Sequence, residues 1–298
     1  MLRAAHRAKP LLADVARPAA FVRAQADHAG AFRDRSGKAD LYYTVFGLQC
    51  LRALGEDLPA ATPAYLRSFA DPRGLDFIHA ACLARCWALV QPEGAPADVR
   101  AALLERLRTF RAADGGFAVF AGADMGSAYG AFLSLGAHED LGAEAPDAGA
   151  LAASVAALRM PDGGCTNDRL LPLSSTPAAA ACVAVLCELA GSAAEKRSLE
   201  PFLRETTAWL MARVAPSGGL AATADAPTPD LLSTATGLHA LWRAGAALDE
   251  TSRPACAGFV AGLAAASGGF RGHAADNAAD CEYTFYGLMA LGHLAGGQ

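Results

Sequence analysis

Two aspartates, Asp230 and Asp280, stand immediately before alanine-rich apolar runs that read as helices. A carboxylate in that place has two uses: it caps the free backbone N–H groups of the helix it opens, or, inside an apolar cavity, it serves as a lone acid. Capping is the plainer reading of both. Joined by Cys281 and His273, they also form the best metal-ligand set in the chain. His79, Cys82 and Cys86 share one helical face, but three ligands on one rigid helix reach a tetrahedral arrangement poorly, so they read as a core stripe. We expect no bound metal and no other cofactor. Ser174 and Ser175 have no His/Asp pattern around them, and the Gly-Gly turns lack the strand-turn-helix context of a nucleotide loop.

Aromatic residues supply a second kind of chemistry. Tyr43, Phe46, Phe77, Tyr129, Phe132, Trp242, Tyr283 and Tyr286 fall on the alanine-rich segments, where their π faces would meet a polyene or a carbocation. The alternative is that individual rings simply fill the space between helix layers.

The elements that must position these groups follow from a repeat. Asp114-Gly115-Gly116-Phe117, Asp162-Gly163-Gly164-Cys165, Ser217-Gly218-Gly219-Leu220 and Ser267-Gly268-Gly269-Phe270 recur at intervals of about 50 residues, the length of a helix-turn-helix unit that must stack on its neighbours to bury its apolar face. Segments 40–54, 76–90, 124–136, 174–190, 230–244 and 280–294 read as the second, apolar helix of each pair. More charged helices such as Val99 to Leu107 and Leu199 to Val214 precede them. Asp40-Leu41-Tyr42-Tyr43-Thr44-Val45-Phe46-Gly47-Leu48 aligns with Asp280-Cys281-Glu282-Tyr283-Thr284-Phe285-Tyr286-Gly287-Leu288. Ends so alike are unlike the polar caps of an open solenoid. The expected fold is therefore all-α, a closed α6/α6 toroid around a central apolar cavity, with residues 1–298 as one domain and segments 40–54 and 280–294 as neighbours. Gly47, Gly130, Gly237 and Gly287 would let its helices approach closely.

Composition narrows the functions. The chain of 298 residues is 53% hydrophobic and 18% charged, which is ample for a large core. A net charge of -5 and a pI near 5.8 give no basic footprint for nucleic acid. No apolar run reaches the roughly 18 residues that a membrane span needs. The eight cysteines lack the dense spacing of a secreted disulfide scaffold and read as reduced thiols of a cytoplasmic protein. Residues 1–9 are basic and free of acids, as in a transit peptide or an ordinary amphipathic first helix.

Over residues 30–295 these motifs resemble the protein prenyltransferase β subunits and the related squalene and hopene cyclases, which share an α/α toroid of Gly-Gly-Phe repeats. The resemblance implies an isoprenoid or prenyl diphosphate ligand in an aromatic-lined funnel, and a helical-repeat protein partner like the α subunit. Departures from the family pattern fall on its chemistry. Asp124-Met125-Gly126-Ser127-Ala128-Tyr129 resembles Asp-x-Arg-Ser-Ala-Tyr, with Gly126 in place of the arginine. Asp230-Leu231-Leu232-Ser233 resembles the zinc-binding Asp-x-Cys-Tyr, with Leu232 in place of the cysteine. Tyr283 stands where Asp-x-x-His-Thr has its histidine, and residues 221–228 hold no basic clamp for a diphosphate, leaving Arg271 and His273 as the nearest candidates by sequence. With two of three zinc ligands replaced, ordinary protein prenylation is not expected. The Asp-x-Asp-Asp phrase of the cyclases is also absent. The reading that results is a zinc-independent isoprenoid transferase or cyclase using Asp230 or Asp280; the alternative is a non-catalytic isoprenoid-binding or protein-interaction ring.

Overall fold

In the computed structural model, which describes residues 1–296, the chain forms thirteen α-helices. They are α1 (Leu2–His6), α2 (Ala16–Gln25), α3 (Leu41–Leu54), α4 (Thr62–Arg67), α5 (Phe77–Val90), α6 (Ala97–Arg108) and α7 (Ala128–Asp140). Then follow α8 (Ala148–Ala156), α9 (Thr176–Leu189), α10 (Ala193–Met211), α11 (Leu231–Arg243), α12 (Ser252–Gly262) and α13 (Cys281–Ala295). After α1, the helices follow one another in pairs, with α3, α5, α7, α9, α11 and α13 as the second member of each. The sheet content is small: β1 (Phe32–Arg33) pairs with β2 (Ala39–Asp40), and β3 (Phe270–Arg271) with β4 (Ala279–Asp280), both antiparallel.

Each apolar helix starts at a side chain that accepts a hydrogen bond from the N–H three residues on. The caps are Asp40, Asp76, Ser127, Ser175, Asp230 and Asp280. Five of the six expected segments therefore begin within two residues of their helices. The third is displaced: α7 begins after Ser127, because the backbone carbonyl of Asp124 is bound by the N–H of Asp114 in the preceding turn.

The recurring Gly-Gly turn has a specific job at each glycine. The first is left-handed, with φ of 87° at Gly115 and 100° at Gly268, a conformation that disfavours a side chain. The second packs against a helix of another pair: a Cβ on Gly219 would come 2.5 Å from the Phe259 ring of α12, and one on Gly269 2.4 Å from the Phe21 ring of α2. The following residue turns inward and is fully buried in Phe32, Phe117, Cys165 and Leu220, and nearly so in Phe270. In three repeats a threonine one turn into the apolar helix fastens it: Thr44, Thr234 and Thr284 accept the N–H of Phe32, Leu220 and Phe270 while donating to the carbonyls of Asp40, Asp230 and Asp280. A Cβ on Gly47 would sit 2.2 Å from the Phe32 ring, and one on Gly287 2.7 Å from that of Phe270. These two glycines admit the aromatic of the turn; the close approach they permit is of helix to turn.

Two compact units divide the chain, one made of residues 1–62 with those from 210 onward, the other of residues 63–209. In the first, α13 packs between α11 and α3, with α1 lying across it. The contact with α1 is so close that a Cβ on Gly292 would fall 1.7 Å from the carbonyl oxygen of Ala4. Segments 40–54 and 280–294 are thus neighbours, as their shared phrase implied. In the second unit α7 packs between α5 and α9, over a core that includes Trp87, Phe77 and Phe117. Among the described residues no helix is long and apolar enough to cross a membrane.

Candidate functional site

Where the N-termini of α3 and α13 meet, the first unit collects charge. Asp280 divides its carboxylate: Oδ1 accepts the N–H of Tyr283 and caps α13, while Oδ2 accepts Nε of Arg35 at 2.7 Å. The same guanidinium reaches Asp276 through Nη2 at 2.8 Å and lies 5.4 Å from the centre of the Tyr283 ring. Asp280 is almost wholly buried, with 6% of its side chain exposed against 39% for Arg35, so the arginine bridges from solvent to an enclosed carboxylate. Its hydrogen bond holds Asp276 down at about 2.

Two residues beyond the cap is a third carboxyl group, in a different environment. Glu282 accepts a hydrogen bond from the Tyr42 hydroxyl at 2.6 Å. Burial raises its pKa; the tyrosine bond opposes the shift and the charge of Asp280 adds to it. Tyr43 is pushed up to about 12 by burial, with Asp280 and Glu282 contributing. Aromatic rings continue from this cluster: Tyr42 meets Tyr43 and Phe46 edge-on, Phe46 meets Tyr286, and Tyr286 meets Tyr283. The chemical content is a carboxylate paired with a guanidinium beside a buried carboxyl whose pKa is raised, both against a tyrosine-rich wall.

Of the residues singled out by sequence, Asp280, Tyr43, Phe46, Tyr283 and Tyr286 are brought together here. Asp230 caps α11 with Oδ1 on the N–H of Ser233 and Oδ2 on its hydroxyl, and is near enough for its charge to raise the pKa of Tyr283. Arg271 donates to the carbonyl of Gly262 at the end of α12, and His273 is exposed. Trp242 lies at the far, C-terminal end of α11, stacked on His239. Phe77, Tyr129 and Phe132 belong to the second unit, where Phe77 is fully buried between Phe110 and Phe117. A Cβ on Gly126 would lie 2.8 Å from the backbone of Gly116, so this position is closed to a side chain.

The cysteine candidates are core thiols. Burial pushes Cys281 and Cys86 well up, and His79 is held by the carboxylate of Asp76. No three of His, Cys, Asp and Glu gather as a metal site among the described residues.

Sequence reasoning missed Arg35, Tyr42, Asp276 and Glu282. The signal for Arg35 was present: if segments 40–54 and 280–294 are neighbours, a basic residue in the hairpin before Asp40 lies opposite Asp280.

A variant of type II terpene cyclase MstE from Scytonema, in complex with geranylgeranyl dihydroxybenzoate (substrate), superposes with a TM-score of 0.61 at 13% identity, over 99% of this chain and 98% of that one. The ent-copalyl diphosphate synthase from Streptomyces platensis gives 0.54 at 19%, over 86% of this chain and 50% of that one. A UGL variant with the saccharide dGlcA-Glc-Rha-Glc gives 0.60 at 16%, over 93% of each. Such identities show a shared fold, and one that hosts unrelated chemistry. No curated protein matches the sequence. The family model of the prenyltransferase alpha-alpha toroid domain matches residues 6–86 and 195–296, more than half of the chain, and with the Gly-Gly turns and capped helix pairs described above it settles the family: the chain belongs to the prenyltransferase alpha-alpha toroid domain proteins.

Proposed function

We propose that this protein binds an isoprenoid chain against the tyrosine-rich wall and acts on it by cyclase-type proton transfer, without zinc. The observation that carries the reading is Glu282, a buried carboxyl whose pKa is raised and which is hydrogen-bonded to Tyr42 and close to Tyr43 and Tyr283. An acid kept neutral in an apolar site is the group an alkene needs as proton donor, and π faces stabilise the cation that results. Glu282 would give its proton to a terminal alkene, ring closure would pass the cation to a new carbon, and loss of a proton from that cation to water would complete an isomerisation with no net oxidation. Asp280 and Arg35 form the fixed, charged part of the site. The terpene cyclase likeness supports an isoprenoid ligand by analogy of fold alone.

The same proposal includes the closed six-pair ring with a central apolar cavity, residues 1–298 acting as one domain, a prenyl diphosphate as the charged form of ligand, a helical-repeat partner of the α-subunit kind, and a cytoplasmic setting, for which the eight free cysteines are the support.

A specific observation favours a second reading, binding without turnover: both expected acids, Asp230 and Asp280, are engaged as helix caps. The test separates the two. Calorimetry with farnesol and farnesyl diphosphate is expected to give affinities within about tenfold, or roughly 1.4 kcal/mol, of each other. Incubation of geranylgeraniol in D2O is expected to yield a cyclic isomer carrying one deuterium, lost in Glu282→Gln with binding kept. Binding without that product supports the carrier; binding of neither alcohol nor diphosphate overturns both readings.

A further inference from the structure

The first unit holds a concavity at the C-terminal ends of α11 and α13. It is an open cleft of about 40 Å³, and Arg7, Leu238, Trp242, Leu248, Arg253 and His293 are among its lining residues. His293 Nε2 lies 3.1 Å from His239 Nδ1, and burial lowers the two imidazoles to about 3 and about 2, so both are neutral at physiological pH. Between neutral rings one nitrogen donates and the other accepts. On the other side of the His293 ring, Nδ1 is buried and has no hydrogen-bond partner among the described residues. Arg7 and Arg253 make no ion pair among the described residues. Trp242 is 48% exposed yet rigidly seated, stacked on His239 with 22° between the planes.

We propose that this cleft binds a small planar organic anion, a carboxylate or phosphate ester, with the anion on Arg7, Arg253 and His293 and the ring on Trp242. An anion fixes the tautomers: His239 Nδ1–H donates to His293 Nε2, which leaves His293 Nδ1–H as a donor and gives that nitrogen the partner it lacks. Guanidinium groups match carboxylate and phosphate oxygens in geometry as well as charge, while the apolar lining of Leu238 and Leu248 favours an organic ligand over a bare inorganic ion. The inference is independent of the isoprenoid reading, which concerns the opposite end of α13.

Tryptophan fluorescence tests it, because Trp87 and Trp209 are buried and the exposed reporter is Trp242. Benzoate and phenyl phosphate are expected to change the emission saturably, with dissociation constants near or below about 1 mM, one of the two binding tighter and so naming the source. Benzyl alcohol, with the same ring and no charge, should bind at least about tenfold more weakly, or about 1.4 kcal/mol. Arg7→Gln and Arg253→Gln should each weaken benzoate by a similar factor without altering the farnesol affinity. Benzyl alcohol as tight as benzoate, inorganic phosphate as tight as phenyl phosphate, or no saturable change with any probe would overturn the proposal, and each of these needs only the unmodified protein.

Discussion

The two ends of α13 meet opposite electrostatic demands. Its N-terminus carries Asp280, Glu282 and, through Arg35, Asp276; its C-terminus, about 22 Å away at 1.5 Å per residue, carries His293 paired with His239. The helix dipole favours anions at the first end and cations at the second, by about 0.3 to 1 kcal/mol each. The first end follows that preference, and an arginine strengthens it. The second does not: both imidazoles stay neutral, because burial moves them down by several pH units, each unit being about 1.36 kcal/mol. Desolvation outweighs the dipole wherever no counter-charge is within reach.

The sharpest way to break this contrast is at Arg35. Arg35→Met leaves Asp280 enclosed without its partner and is expected to cost about 3 to 5 kcal/mol at neutral pH in urea unfolding. Adding Asp280→Asn should return part of that loss. A cost under about 1 kcal/mol would show that the carboxylate does not need the guanidinium. The same variant should change the acid limb. Asp276 has a folded pKa of about 2, below its ordinary 3.8, so its contribution is complete above about pH 4 and is lost as the pH falls toward 2; without Arg35 that dependence should flatten.

At the other end the relevant window is higher. His239 and His293 have folded pKa values below the usual 6.5, so an unfolded chain takes up protons that the folded one refuses. Stability is full above about pH 6.5 and should fall as the pH drops toward 3, by about 1.4 kcal/mol per unit for each ring. The doubly substituted His239→Gln, His293→Gln protein should lose that slope between pH 6.5 and 5 while keeping the one due to Asp276. An unchanged slope would mean that the pair is solvated.

The smallest effect is expected at Asp230, which caps its helix and makes no ion pair among the described residues. Asp230→Ala should cost about 1 kcal/mol, and Asp280→Ala distinctly more. Equal costs would remove the distinction between a plain cap and a clamped one.

The amino-acid sequence by itself determined the repeat, the helix pairs and five of the six apolar-helix starts, because each depends on neighbours within a turn or two. Asp40, Asp76, Asp230 and Asp280 announce their helices by a cap three residues ahead of the N–H they bind, and the similarity of residues 40–48 to 280–288 was enough to make α3 and α13 neighbours. Where two local signals competed, as Asp124 and Ser127 did, the outcome rested on which carbonyl the preceding turn had already engaged. The site lay beyond local pattern. Arg35 reaches Asp280 across 245 residues, Tyr42 meets Glu282 across 240, and Trp242 joins His293 rather than the aromatic wall to which its segment assigned it. Charge state was decided there too: a carboxylate or imidazole has no fixed pKa in sequence, since its burial and partners come from chain segments that only folding brings within a few ångströms.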